Sequence, residues 1–236
     1  TVAFFAALLG PVGADRVEAA GRVERAIGLA AQWAARKPLV FLLSFPMALR
    51  QIIFIPDTRL RQIVPPVQTV DKNIETLVAD MFETMYEAPG IGLAAPQIGV
   101  MSRVIVVDCA KKSHDEQEDG ALEEDETTPE PEPDPEPIAL INPEILWFSE
   151  ELSVHEEGCL SIPDYYEDVE RPARCKVRYL DIKGQSIERE LDGLLSTCVQ
   201  HEVDHLNGKL FIDYLSRLKR ERVTKKFQKA ARRAVG

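Results

Sequence analysis

The sequence predicts an α+β fold in which antiparallel or mixed β-sheets pack around one central helix, with a further helix at the C-terminus. Apolar residues recur at helical spacing from about residue 73 to 86, which predicts a first amphipathic helix. The central helix is predicted at about 192–206 and the C-terminal helix at about 216–234. Strands are predicted near 103–108, 175–181 and 186–190.

Each helix has its own signal in the sequence. Apolar side chains at spacings of three or four residues predict the first helix: Ile74, Leu77, Val78, Met81, Phe82 and Met85. Val203 and Leu206 give the central helix an apolar face, and Gly208 gives it a place to stop. The C-terminal helix is basic, with a single acid, Glu221, among these residues: Arg217, Lys219, Arg220, Arg222, Lys225, Lys226, Lys229, Arg232 and Arg233.

Most of the negative charge of the chain lies in one segment. The 236 residues carry a formal charge of −11, and the stretch 111–137 contains twelve acids and two lysines. Prolines alternate with acids at its end, and it has almost nothing to bury, so we expect an acidic disordered insertion. It separates the strand near 103–108 from the apolar run 138–143. We interpret it as an expanded hairpin-type connection within a single domain of residues 47–236.

Residues 1–46 are interpreted as an N-terminal extension that is poorly ordered or dispensable. Its apolar runs at 1–10 and 39–45 are each too short to span a bilayer as a helix, which needs about 20 residues, so we expect no membrane contact. A basic segment does not precede the first run, which argues against a secretory signal. The four cysteines are scattered along the chain, which fits a reducing compartment and predicts a cytoplasmic location.

The run from Gln200 to Gly208 contains the pattern His-Glu-x-x-His, formed by His201, Glu202 and His205. Two histidines four residues apart lie on one helix face, so both imidazoles can reach one metal ion. Buried histidines beside a glutamate would be costly without such a partner. The central helix is therefore predicted to bind a metal, and Glu202 stands where a carboxylate can serve hydrolysis.

A catalytic site of this type needs a third protein ligand. In the metzincin arrangement a third histidine would stand where the chain has Phe211, and the thermolysin arrangement would need a glutamate at Lys225. Glu221 is near that position, but it lies in a basic run that suits a buried ligand poorly. The remaining candidate is Cys159, because a thiolate binds divalent metals well. The other cysteines are interpreted as small packing residues: Cys109, Cys175 and Cys198.

Three segments resemble the signature motifs of bacterial peptide deformylases, in the order in which that family has them. They are residues 90–97 (GIGLAAPQ), 157–161 (EGCLS) and 200–205 (QHEVDH). The resemblance extends from about Met47, which looks like a family start, to about Ala230, apart from the acidic insertion. It identifies 47–236 as a catalytic domain. The implied reaction is metal-dependent removal of the N-formyl group from the formyl-methionine of newly synthesised polypeptides, with release of formate.

The resemblance implies that Cys159, His201 and His205 bind one divalent metal ion. Fe(II) is the preferred expectation, and the ligand types also admit Zn(II), Ni(II) and Co(II). Glu202 would act as the general base, while the Gln97 amide and the backbone N–H of Leu160 would stabilise the oxyanion. The residues implied for the methionine slot, besides His201, are Ile91, Gly92, Leu194, Thr197 and Cys198.

Two positions depart from the apolar residues that many family members have there, namely Thr197 and His155. We interpret His155 as a surface histidine rather than a substrate contact. Glu157 and Arg171 are expected to form an ion pair that supports the site. The implied partners are formyl-methionyl nascent peptides and, through the basic C-terminal helix, ribosomal RNA. Two other functions stay open from the sequence: a zincin-type metallopeptidase and a non-catalytic protein on the same fold.

Overall fold

The computed structural model describes residues 48–109 and 136–235, and the predictions for residues 1–46 and for most of the acidic insertion lie outside this part. The described residues form seven β-strands and three α-helices. In chain order these are α1 Lys72–Glu87, β1 Gly92–Ala94, β2 Val104–Val107, β3 Ile138–Phe148, β4 Leu152–Cys159, β5 Ile162–Pro172, β6 Cys175–Leu180, β7 Ser186–Leu191, α2 Gly193–Leu206 and α3 Arg217–Val235. The predicted α+β class is confirmed.

Five strands form one antiparallel sheet in the order β1-β2-β3-β6-β7, and β4 pairs with β5 in a second, two-stranded sheet. Strands β2 and β3 flank the acidic insertion, and Val107 lies opposite Ile138 in their register. The backbone N–H of Glu136 also donates to Asp108 Oδ1 at 3.3 Å. The two ends of the insertion therefore meet, as a hairpin-type connection requires.

Helix α1 begins where Asp71 caps it, because the Asp71 carboxylate accepts hydrogen bonds from the backbone N–H groups of Asn73 and Ile74. Its apolar side chains face inward, and Met81 and Met85 are fully buried. The predicted span of 73–86 differs by one residue at each end. The repeating apolar pattern is strong here because one face of the helix packs on the core.

In helix α2 every side chain from Ser196 to Leu206 is buried. Its residues Val199 and Val203 join a core cluster with Ile105 and Val177 from the five-stranded sheet. The helix is followed by Gly208 at φ +70°, where a side chain would come within 2.5 Å of a backbone oxygen. This packing fixes the direction in which the two histidines of α2 point.

The strands β4 and β5 are absent from the sequence prediction, and β3 continues beyond the predicted apolar run. Strand β3 contains Pro143, and its register with the neighbouring strand β6 is irregular. A simple alternation of apolar and polar residues therefore did not predict its full length. In β4 the exposed residues include Leu152 and Val154, which hides the usual pattern of apolar-in and polar-out. Sequence periodicity is a weak signal for a two-stranded sheet of this type.

Helix α3 uses its few apolar residues to hold itself against the domain. Val223 is buried, and Phe227 packs against the same cluster, which contains Leu60, Leu210 and Phe211. Its basic side chains Lys225, Lys226 and Lys229 are exposed on the other side. Within the described part of the chain, no helix is long and apolar enough to cross a membrane.

Candidate metal centre

Three potential metal ligands converge from two elements that are distant in the sequence. Cys159 ends strand β4, while His201 and His205 stand one turn apart on α2. One ligand atom from each of the three side chains lies within 4.8 Å of the other two. The Sγ atom of Cys159 is 3.3 Å from Nε2 of His205. One thiolate and two imidazoles at these separations suit a tetrahedral divalent ion that leaves a fourth position open.

The electrostatic surroundings also fit a cation. Burial lowers the pKa of His205 well below its ordinary value, which favours the neutral imidazole that a metal requires. At His201, burial works to lower the pKa, but the Cys159 sulfur and the Glu157 carboxylate raise it well above the ordinary value. The two groups that stabilise a proton on His201 would equally stabilise a metal ion beside it.

The alternative arrangements supply no third ligand here. Phe211, at the metzincin position, packs against the His201 ring at a centroid distance of 5.9 Å but has no atom that could bind a metal. Glu221 lies on α3 and pairs there with Arg217 at 2.8 Å. Among the described residues, the cluster of potential ligands therefore contains Cys159 rather than Glu221.

A buried ion network orients His201 from behind. Nδ1 of His201 is 2.8 Å from Oε2 of Glu157, and Arg171 donates to both oxygens of that carboxylate. Arg171 also donates to Asp204 at 2.8 Å, and the Tyr214 hydroxyl donates to Asp204 at 2.9 Å. Burial raises the pKa of Glu157, but the hydrogen bonds from His201 and Arg171 outweigh it and bring the pKa to about 2. The carboxylate therefore stays ionised and holds the imidazole in one orientation.

The expected ion pair between Glu157 and Arg171 is thus confirmed. Asp204 and Tyr214 were missed by the sequence reasoning. The sequence did contain a signal for Asp204, because an acid three residues after His201 lies close to the same face of the helix. The sequence around Tyr214 contains no comparable pattern.

Glu202 is buried beside the ligands with one oxygen free of partners. Burial raises its pKa to about 7. Its Oε2 atom accepts no hydrogen bond from any residue that the structure describes. A Cβ atom at Gly92 would lie 2.5 Å from Oε1 of Glu202 and 2.8 Å from Sγ of Cys198, so only glycine leaves this carboxylate its space.

Gln97 is held with its amide nitrogen toward the ligands. Its Oε1 atom accepts a hydrogen bond from the backbone N–H of Ala94 at 2.7 Å, which fixes the amide orientation. Its Nε2 atom points at Cys159 Sγ, 3.5 Å away, and at Ser161 Oγ, 3.3 Å away. Leu160 follows Cys159 directly and lines the same cavity. Both positions that sequence reasoning selected for oxyanion stabilisation therefore lie next to the ligands.

A cavity of about 310 Å³ opens in front of these groups. The residues predicted for the methionine slot all line it: Ile91, Gly92, Leu194, Thr197 and Cys198. His155 lines it too and is half-buried, so it borders the cavity, and its interpretation as something other than a substrate contact stays a prediction. The alternation of β4 explains this position, since residues 155 and 157 share one face of the strand before its register shifts at Cys159. Glu156, Asp164 and Tyr166 stand at the exposed rim.

A metal-binding group of one cysteine and two histidines, next to a buried glutamate and an open cavity, defines a metal-dependent hydrolase. The family model described as "Polypeptide deformylase" matches residues 49–221. The chain belongs to the peptide deformylase family. Members of this family are metal-dependent enzymes that remove the N-formyl group from nascent chains, so the function predicted from the motifs is confirmed.

Individual relatives cover the same part of the chain. A peptide deformylase of Bradyrhizobium diazoefficiens is 55% identical over 188 residues, which are 80% of this chain and 99% of that protein. One of Methylocella silvestris is 56% identical over 186 residues, which are 79% of this chain and 87% of that protein. The crystal structure of a peptide deformylase from Legionella pneumophila has a TM-score of 0.65 at 42% identity, covering 80% and 98% of the two chains. The Ehrlichia chaffeensis enzyme, in complex with actinonin, has a TM-score of 0.66 at 39% identity, covering 78% and 98%.

Proposed function

We propose that this chain hydrolyses N-formyl-methionyl peptides with one divalent ion held by Cys159, His201 and His205. The observation that carries this assignment is the approach of one thiolate and two imidazoles to within 4.8 Å of one another, beside a buried glutamate. When bound, the ion supplies Lewis-acid chemistry that makes water reactive near neutral pH. The side chains around the ion transfer the proton, stabilise the oxyanion and bind the substrate.

Glu202 takes the proton from the attacking water and delivers it to the amine nitrogen as the bond from the formyl carbon to nitrogen breaks. Formate and a free amino terminus are then released. The negative charge that develops on the formyl oxygen is stabilised by Nε2 of Gln97 and the backbone N–H of Leu160. One such donor contributes about 3–4 kcal/mol in comparable sites. The methionine side chain enters the slot between Ile91 and Leu194.

The assay that tests this proposal is formate release from formyl-Met-Ala-Ser by protein loaded with metal in the absence of oxygen. Wild-type protein should release one formate per peptide, and Cys159→Ala should lose both bound metal and activity. Cys175→Ala is the matched control, since Cys175 is another free cysteine that neither lines the cavity nor belongs to the ligand cluster. Absence of formate from metal-replete wild-type protein would refute the assignment. Retention of metal and activity in Cys159→Ala would refute the ligand set.

We propose Fe(II) as the native metal, with Zn(II), Ni(II) and Co(II) as ions that the same ligands can hold. A thiolate with two imidazoles is soft enough for all four ions, so cellular availability decides among them. Metal analysis of protein purified without oxygen should give about one iron per chain. Zinc at that stoichiometry under the same conditions would contradict the iron assignment.

We further propose that helix α3 docks on ribosomal RNA and that the enzyme works in the cytoplasm, where nascent chains are available. The exposed lysines and arginines of α3 suit phosphate contacts, which make binding strongly dependent on salt. Because Val223 and Phe227 pack on the domain, substitution is a cleaner test than truncation. The triple variant Lys226→Gln, Lys229→Gln, Arg233→Gln should bind ribosomes more weakly and with a smaller salt slope.

The control for this test removes the same number of charges elsewhere, at the exposed residues Arg174, Arg178 and Lys183. That variant should co-sediment with ribosomes as wild type does. Equal losses in the two triple variants would show that only overall charge matters, and would refute docking through α3. Formate release by both variants from a free peptide should match wild type, because neither set lines the cavity.

The domain organisation also stays a proposal, with a catalytic domain at 47–236 and a dispensable segment at 1–46. The contacts of the described chain support it, because Ala48 and Arg50 are already tied to Asp80 by hydrogen bonds of 2.8 Å. A variant that begins at Met47 should keep the thermal stability and the formate release of the full chain. A large loss of either would show that the segment belongs to the working domain.

A further inference from the structure

Thr197 is a buried hydroxyl group in an otherwise apolar part of the cavity. The residue is 4% exposed, and its Oγ1 atom has no hydrogen-bond partner in the part of the chain that the structure describes. It lines the cavity together with Ile91 and Leu194, whose side chains are hydrocarbon. A buried hydroxyl without a partner is unfavourable, so its presence here requires an explanation.

The other helical threonines do not share this condition. Thr76, Thr84 and Thr224 each donate to the carbonyl oxygen four residues earlier, at 2.9, 2.7 and 2.8 Å. This is the usual way in which a threonine within a helix satisfies its hydroxyl. Thr197 does not use the equivalent carbonyl of Gly193. Its hydroxyl therefore has an unused hydrogen-bond donor, on a residue that borders the cavity.

We propose that the Thr197 hydroxyl donates a hydrogen bond to the thioether sulfur of the substrate methionine. This inference rests on the proposed function, which puts that side chain into the slot between Ile91 and Leu194. The thioether sulfur is a weak acceptor, and it is the one polar atom of the methionine side chain. Norleucine has nearly the same shape but carries a methylene group in place of sulfur. It would fill the slot and leave the hydroxyl buried without a partner.

Thr197 is thus a specificity-determining residue that selects methionine over an all-carbon side chain of equal length. Apolar walls alone discriminate poorly between two side chains of the same size. A polar group that only one of them satisfies adds a preference, which for a weak hydrogen bond is about two- to tenfold.

The test compares kcat/KM for formyl-Met-Ala-Ser and formyl-norleucyl-Ala-Ser. Wild type should prefer methionine by about two- to tenfold, and Thr197→Val, which keeps the shape without the hydroxyl, should bring the ratio close to one. A second pair of variants tests the same point without Thr197→Val. Thr197→Ser keeps a hydroxyl, and Thr197→Ala removes it. Serine should preserve the preference and alanine should lose it.

A stability measurement shows whether the Thr197 hydroxyl acts on the substrate or stabilises the fold. Thr197→Val should not lower the Tm of the free enzyme, because no protein hydrogen bond is lost. The matched control is Thr84→Val, which should lower the Tm, because Thr84 Oγ1 donates to Asp80 and accepts from the Arg50 backbone N–H at 3.0 Å.

Each outcome of the kinetic comparison decides the matter. Equal methionine-to-norleucine ratios in wild type and Thr197→Val would overturn the inference while the proposed function stands. A ratio lost equally in Thr197→Ser and Thr197→Ala would also overturn it, because the methyl group would then be responsible. Absence of formate from both peptides with wild-type enzyme would overturn the proposed function and this inference with it.

Discussion

A single carboxylate, that of Glu202, has a proton-transfer role in the proposed mechanism and is not among the ligands. Replacing it with glutamine keeps the size of the side chain and removes its ability to accept a proton. We expect Glu202→Gln to lower kcat by about 10²- to 10⁴-fold while the metal content stays near one per chain. Formate release and metal analysis on the same sample check both parts. A variant that loses the metal, or that keeps full turnover, would contradict the role assigned to Glu202.

The amide of Gln97 is the second residue whose contribution can be isolated. Because Nε2 lies beside Cys159, we expect Gln97→Ala to reduce kcat by about 10²- to 10³-fold, the effect of losing one oxyanion donor. Ser161→Ala is the control, since it removes a neighbour of the amide but keeps the donor. Steady-state kinetics on a formyl-methionyl peptide would show the difference. A loss confined to KM would indicate that Gln97 binds the ground state instead.

At the scale of elements, the buried guanidinium of Arg171 links strand β5 to strand β4 and helix α2 through Glu157 and Asp204. Arg171→Met would leave both carboxylates buried without the guanidinium that balances their charge, and breaking a buried ion pair in this way costs about 3–5 kcal/mol. We expect the Tm to fall by about 6–20 °C, as measured by thermal unfolding.

Arg178→Met provides the comparison, because Arg178 pairs with Glu144 at 2.6 Å on the exposed side of the sheet. An exposed pair contributes about 0–1 kcal/mol, so this variant should unfold within a few degrees of wild type. Similar losses of Tm in the two variants would mean that the network around Glu157 does not hold the elements together.

The elements that the sequence predicted well are those whose side chains follow one period. Helix α1 and helix α2 bury a full apolar face, and strand β2 is a continuous β-branched run, so their positions could be read within one or two residues. Strands β4 and β5 could not, because Leu152 and Val154 are exposed and a short two-stranded sheet carries no clear alternation. Strand β1 has only three residues. It lies within the motif 90–97, which was assigned to the active site and not to a strand.

The site was more predictable than the sheets around it, because its residues occur in short motifs with chemical meaning. Cys159 and His201 could be selected from residue type and spacing, together with the family resemblance. The network behind them depends on tertiary contacts that no local pattern encodes, as Tyr214 illustrates. The place of His155 beside the cavity was missed because the sequence prediction did not include β4.

At the scale of the whole molecule, the two ends of the acidic insertion lie beside each other in the catalytic domain. Asp108 and Glu136 bring its two ends together, and none of its described residues lines the cavity. Replacing residues 111–134 with a four-residue glycine-serine turn should therefore leave kcat/KM within about twofold of wild type. The loop shortens by about two doublings in length, which should stabilise the fold by about 1 kcal/mol.

The corresponding rise in Tm is about 2–4 °C, measurable by calorimetry. A variant in which the same residues become a glycine-serine segment of unchanged length separates charge from chain length. This variant should keep the wild-type kcat/KM. Its Tm should not rise, because its loop is as long as before. If the shortened variant loses stability or activity while the full-length segment preserves both, the hairpin β2–β3 needs the length of the insertion. If both variants lose activity, the acidic side chains themselves contribute to the reaction.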